Sequence, residues 1–156
     1  MKFDKRLFGI VGSALLLAVL IPLPQSSADP SVHVIPFPRT GPQVGFEYFV
    51  MNIRVPIHEA YIIDSLELII DEGTSDERKI IFDTSGKMID QDPKPSFLRV
   101  IGRIHTNPDG YSIGPTLGVF VGAINKIVLD PGVHQVTFKV NTNAGTFTDS
   151  DSFRII

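Results

Sequence analysis

Four histidines, His33, His58, His105 and His134, and three spaced sets of carboxylates are the residues in this chain that could do chemistry. The carboxylates are Asp71-Glu72 with Asp76-Glu77 around Gly73, Asp90 with Asp92, and Asp149 with Asp151. Imidazoles brought together by a fold bind copper or zinc, and paired carboxylates suit calcium. Neither set has the spacing that would build such a site locally. The histidines lie far apart in sequence, and no acidic set shows the twelve-residue calcium loop with its glycine and closing glutamate. A reading as surface histidines and solvated turn carboxylates stands beside the metal reading, and the metal ligands are left unknown.

Catalytic patterns fail in the same way, so no catalytic residue is assigned. The chain has no Gly-x-Ser-x-Gly elbow and no glycine-rich phosphate loop, and His58-Glu59 lacks the second histidine that a zinc-protease helix needs. With no tryptophan there is no aromatic platform for a sugar beside a carboxylate pair. No cofactor is implied, and the chain reads as a noncatalytic protein.

The elements that would position these groups are short strands. Turn signals recur at Asp71-Glu72-Gly73, Ser85-Gly86, Asp92-Pro93-Lys94-Pro95, Asn107-Pro108-Asp109-Gly110, Asp130-Pro131-Gly132 and Asn143-Ala144-Gly145. Between them, apolar residues alternate with polar ones, as in Val136-Thr137-Phe138-Lys139-Val140, or Leu98, Val100, Gly102 and Ile104 against Arg99, Ile101, Arg103 and His105. The segment His58 to Glu72 has apolar residues near helical spacing, but its isoleucine content favours a strand. About seven or eight strands at this spacing predict an all-β, antiparallel sandwich. A continuous strand from Phe147 to Ile155 would put Asp149 and Asp151 on the face of Phe147 and Phe153, so a bulge at Asp149-Ser150-Asp151 is expected.

The segment Leu129 to Val140, with Gly145-Thr146-Phe147 and Phe153-Arg154-Ile155, resembles the last hairpin of immunoglobulin-like and fibronectin-type sandwiches. The resemblance covers roughly the last 30 residues. It implies an immunoglobulin-like fold and, by analogy, an adhesion, scaffold or accessory role.

The N-terminus supplies an address. Lys2, Lys5 and Arg6 precede an uncharged run from Leu7 to Leu23, and Ser26-Ser27-Ala28 offers a cleavage site, so residues 1–28 read as a secretory signal and the mature chain starts at Asp29. A retained anchor is the competing reading, since the run sits at the short end of the roughly 17–25 residues that span a bilayer. Removing three basic and one acidic residue takes the net charge from −3 to about −5, which argues against nucleic acid or anionic membrane as partner. The expected location is secreted, cell-surface or extracytoplasmic. The chain contains no cysteine, so packing or assembly must supply what disulfides give many exported domains.

Two segments point to a protein partner. Residues 29–43 form a proline-rich leader whose Val32, Val34, Ile35 and Phe37 could be donated as an extended strand, in front of a sandwich spanning 44–156. In Gly114 to Ala123, read as a strand, Leu117, Val119, Val121 and Ala123 would face the core, leaving Gly118, Phe120 and Gly122 as a strip another chain can approach. The alternative places Phe120 inside, over a glycine of a neighbouring strand. Together these features predict an exported module for assembly or adhesion, including self-association. The alternative is a small-ligand or metal-binding accessory domain.

Overall fold

A computed structural model describes residues 30–55, 61–92, 97–106 and 116–156. The expected signal sequence, Asp29, His58 and the turn segments at 93–96 and 107–110 lie outside them. Among the described residues there are ten strands and one 3-10 turn: β1 (Ser31–Phe37), β2 (Thr40–Gly41), β3 (Phe46–Val55), β4 (Ile63–Ile70), β5 (Arg78–Phe82), β6 (Met88–Asp92), β7 (Phe97–Arg103), β8 (Thr116–Asn125), the turn Lys126–Val128, β9 (Gly132–Thr142) and β10 (Gly145–Ile155). The count exceeds the seven or eight expected because the leader contributes β1 and β2 and the chain after Arg78 folds as a further hairpin, β5–β6. The isoleucine-rich Ile63–Ile70 is a strand.

The strands form two sheets, ordered β1-β3-β8-β7 and β2-β10-β9-β4-β5-β6. All pairings are antiparallel except β2 with β10, where Thr40 and Gly41 run parallel to Arg154 and Ile155. Four strands against six, with the leader divided between both sheets as β1 and β2, is the strand order of a variable-type immunoglobulin sandwich. The fold class read from turn spacing and alternation is therefore the one observed.

One core cluster draws on both sheets. Phe82 on β5 stacks on Phe138 of β9 and meets Phe120 of β8 at 5.4 Å, and Phe49 of β3 packs edge-on against Phe153 of β10. At the corner before β9, where antibody domains hydrogen-bond a tyrosine back to the chain, His134 takes that place. Its Nε2 lies 2.7 Å from the Asp130 carbonyl, its Nδ1 lies 2.6 Å from Asp71 Oδ2, and its ring stacks on Phe153.

Two expectations need correction. Strand β10 runs without a bulge, since every residue from Gly145 to Ile155 has a partner on β9 in one register. Asp149 and Asp151 do share the face of Phe153, and they are satisfied by the leader instead of by a break in the strand. The facing of β8 is also the reverse of that expected. Phe120 is 0 % exposed, in register with Met51 of β3 and against Phe82, so Gly118, Phe120 and Gly122 point inward while Val119, Val121 and Ala123 take the other face. The physical reason is room. A Cβ on Gly122 would lie 3.3 Å from Met51 Cε, one on Gly118 would lie 2.5 Å from Ile104 Cγ1, and one on Gly102 of β7 would lie 2.5 Å from Phe120 Cδ1. Phe120 therefore lies over the bare Gly102 of the neighbouring strand, an aromatic rescue inside the protein.

Candidate functional site

The leader is the segment whose chemistry the structure makes specific. Its apolar residues alternate, so Val32, Val34 and Pro36 are buried while Ile35 is half-buried and Phe37 is 44 % exposed. Val34 sits opposite Met51 and Pro36 opposite Phe49, so the inner face of β1 completes the core on the edge of β3. Fully burying one valine contributes about 1.5–3 kcal/mol. The two valines alone then supply a large part of the roughly 5–15 kcal/mol that stabilises an ordinary domain.

Backbone parity explains why prolines are tolerated there. The Val34 N–H is donated to Asp149 Oδ2 at 2.9 Å, away from β3. Alternate residues of a strand point their N–H groups the same way, so positions 30, 32, 34 and 36 all face the free edge. Two of the four, Pro30 and Pro36, have no N–H to offer. A further strand cannot add regularly to this edge, which is a recognised way of blunting one.

Beyond Phe37 the chain passes a cis peptide bond to Pro38 and crosses to the other sheet. Arg39 donates from Nη1 and Nη2 to both oxygens of Asp151, at 2.9 and 2.6 Å. This is the two-pronged geometry that makes guanidinium–carboxylate pairs strong. His33 Nδ1 lies 3.9 Å from Asp149 Oδ2. The Arg154 N–H is donated to the Arg39 carbonyl and the Ile156 N–H to the Gly41 carbonyl. The leader is thus fastened on one side to β3 and on the other to β10.

Two buried titratable residues, Glu47 and Lys126, lie under β2. Glu47, on the inner parity of β3 with Phe49 and Met51, is 0 % exposed, and Lys126 is buried beside the same end of the sandwich. Neither carboxylate oxygen of Glu47 has a hydrogen-bond partner among the described residues. Burial pushes the Glu47 carboxyl up to about 8, with the Lys126 ammonium pulling the other way. Gly41 lies close over the lysine, and a Cβ there would come 2.8 Å from Lys126 Nζ. Asn52 is also buried, and its amide has no hydrogen-bond partner among the described residues. Sequence reasoning passed over Glu47, although its place in the alternation with Phe49, Met51 and Ile53 was a readable signal.

The expected site residues therefore fall in separate places. Val32, Val34, Ile35 and Phe37 lie on β1, and Gly118, Phe120 and Gly122 lie inside β8, with β3 between the two strands. The partner of the leader is the edge of β3 and not the glycine strip. Of the histidines, His33 is on β1, His105 follows β7 and His134 is buried at its corner. Among the described residues no three His, Asp or Glu side chains come together in a way that could hold a metal ion. No described helix is long and apolar enough to cross a membrane.

No protein-family model matches the sequence, and neither does any curated protein. Among solved structures, the chain is similar to AggA, the major subunit of aggregative adherence fimbriae type I from Escherichia coli. The alignment covers 85% of this chain and 97% of the other at 10% identity, with a TM-score of 0.32. At that score the likeness carries no argument.

Proposed function

We propose that this protein is a noncatalytic, exported surface or envelope module that assembles with other chains, its own copies included, by giving up its leader strand to a neighbour and receiving one in return. The observation that carries the reading is the position of β1. It is the first described strand, inserts Val32, Val34 and Pro36 into the core and pairs along seven positions with β3. It is joined to the body through Pro42-Gln43-Val44-Gly45, where Val44 is exposed and Gly45 adopts φ 79°. A strand of that kind makes identical contacts in its own chain or in a neighbour, which is the condition for exchange between protomers. Its proline-blunted edge favours exchange over stacking of further strands beside it. The acidic balance of the chain fits a protein partner better than nucleic acid.

The test is the mass in solution, by light scattering coupled to size exclusion, of the chain purified in the form the cell processes it to. The reading expects dimers or larger species that grow with concentration. Deletion of residues 29–42 should abolish them and leave a body that folds only when a peptide of residues 29–42 is added. A monomer at every concentration, with a deletion variant equally folded, would refute it.

A further inference from the structure

The inner face of β1 is nearly periodic, since Pro30, Val32, Val34 and Pro36 are all buried. Burial alone therefore discriminates poorly between the observed register and one displaced by two residues, which keeps the same side chains inward. Something else must fix where the strand stops. We infer that Asp149 and Asp151 of β10 form a register clamp that recognises the leader strand through the Val34 N–H and the Arg39 guanidinium, and so select a leader of this same sequence.

Asp151 registers a slip in either direction, because Arg39 moves with the strand, and Asp149 adds a second loss in one of them. If the leader slips so that Pro36 comes opposite Asp149, the carboxylate loses its donor, because proline has no N–H. If it slips the other way, Val32 restores a donor to Asp149, but Arg39 moves by two residues, roughly 7 Å along the strand. That breaks both contacts to Asp151, now 2.6 and 2.9 Å. Asp149 and Asp151 are 35 % and 22 % exposed, so a slip forfeits these charge-assisted contacts and leaves the carboxylates to water instead of burying an unpaired charge. The same pair rejects an unrelated extended segment that lacks an N–H and, five residues later, a forked cation. It also explains why β10 carries two aspartates in phase with Phe153 and Ile155, where apolar residues would be expected.

The inference deepens the strand-exchange reading only in extending the clamp to a leader arriving from another copy, so the test separates the two. Arg39→Asp, Asp151→Arg and the double variant are made in the full chain, and thermal midpoints are compared. Each single substitution places like charges together and is expected to lower the midpoint, and the double variant, with the pair reversed, is expected to recover at least half of the combined loss. The two single variants are then unfolded, mixed and refolded together. Every clamp is matched only when Arg39 of the Asp151→Arg chain meets Asp151 of the Arg39→Asp chain, and the reverse. A species of twice the chain mass, absent from either variant alone, is the expected result. Additive losses in the double variant would overturn the clamp. Recovery in the double variant without the doubled species on mixing would keep the clamp within one chain and overturn strand exchange.

Discussion

Replacing Glu47 by glutamine should make the protein more stable at neutral pH, by an amount that depends on pH in a calculable way. Burial raises the folded-state carboxyl from 4.5 to about 8, while in the unfolded chain it titrates near its ordinary value. Between those two values the native state holds a proton that the unfolded state has released, so stability falls as pH rises. The slope is about 1.4 kcal/mol per pH unit. Below about pH 4.5 the contribution is fully present. At pH 7 roughly 2.5 units have been traversed, which amounts to about 3 kcal/mol. Glutamine has the shape of the protonated acid and does not titrate, and Lys126 faces a neutral group in both proteins. The difference in stability between the Glu47→Gln variant and the parent should therefore be small at pH 4.5 and grow to about 3 kcal/mol at pH 7. For a domain of this size that corresponds to a midpoint shift on the order of 10 °C. Thermal melts of both proteins at half-unit steps from pH 4.5 to 8 measure it, and the comparison removes histidine titration common to both. A constant difference across that range would show that Glu47 is not held neutral by burial, and the reasoning would fail.

Three further outcomes follow from the packing. Phe120→Ala should destabilise by about 3–5 kcal/mol, as deletion of a buried aromatic does, and Gly102→Ala should also destabilise strongly because its Cβ would meet Phe120 at 2.5 Å; chemical denaturation measures both, and near-neutral effects would return Phe120 to the surface. Burial would raise the Glu67 carboxyl, but hydrogen bonds from Lys79 and Asn141 outweigh it and lower it below its ordinary value. Stability from this group is therefore present above pH 4.5 and lost as pH falls below it, and Lys79→Met should flatten that acid limb in pH-dependent melts. His134→Phe keeps the ring packing on Phe153 but strips Asp71 of its 2.6 Å partner; a loss of about 1–3 kcal/mol is expected by denaturant titration, and an unchanged midpoint would show that the corner is held by packing alone.

Local patterns carried the fold further than they carried the site. Alternation in Val136 to Val140 and the Asn143-Ala144-Gly145 turn specify a hairpin from neighbouring residues, and the recurrence of such units made a two-sheet sandwich readable. The facing of β8 was not, because both of its faces are apolar or glycine, and only the volume between Met51, Phe82 and Gly102 decides which one turns inward. Extending the alternation to Ile124 would have hinted at the answer, since it is buried in phase with Phe120. The straightness of β10 depends on groups more than a hundred positions away: the Val34 N–H and the Arg39 side chain. A carboxylate on an inward face reads as a defect until its distant partner is known. The leader's residues were legible as an extended, apolar strand, and of the two receivers the sequence offered, the glycine strip or a strand edge beside it, the leader lies on an edge, that of β3 next to β8; β3 offers that edge through backbone groups that leave no mark in side-chain pattern.

The central claim, that β1 passes between chains, is tested most directly by trapping the strand where it lands. The chain has no cysteine of its own, and Ser31 on β1 lies opposite Arg54 on β3 in the ladder, at the separation of about 5–6 Å that a disulfide bridges. Ser31→Cys and Arg54→Cys are placed in separate chains, which are mixed, refolded and oxidised. Strand exchange predicts a covalent pair joining one chain of each kind on a non-reducing gel. A doubly substituted chain that closes its own disulfide, together with no covalent pair from the mixture, would mean that the leader stays at home and would contradict the account.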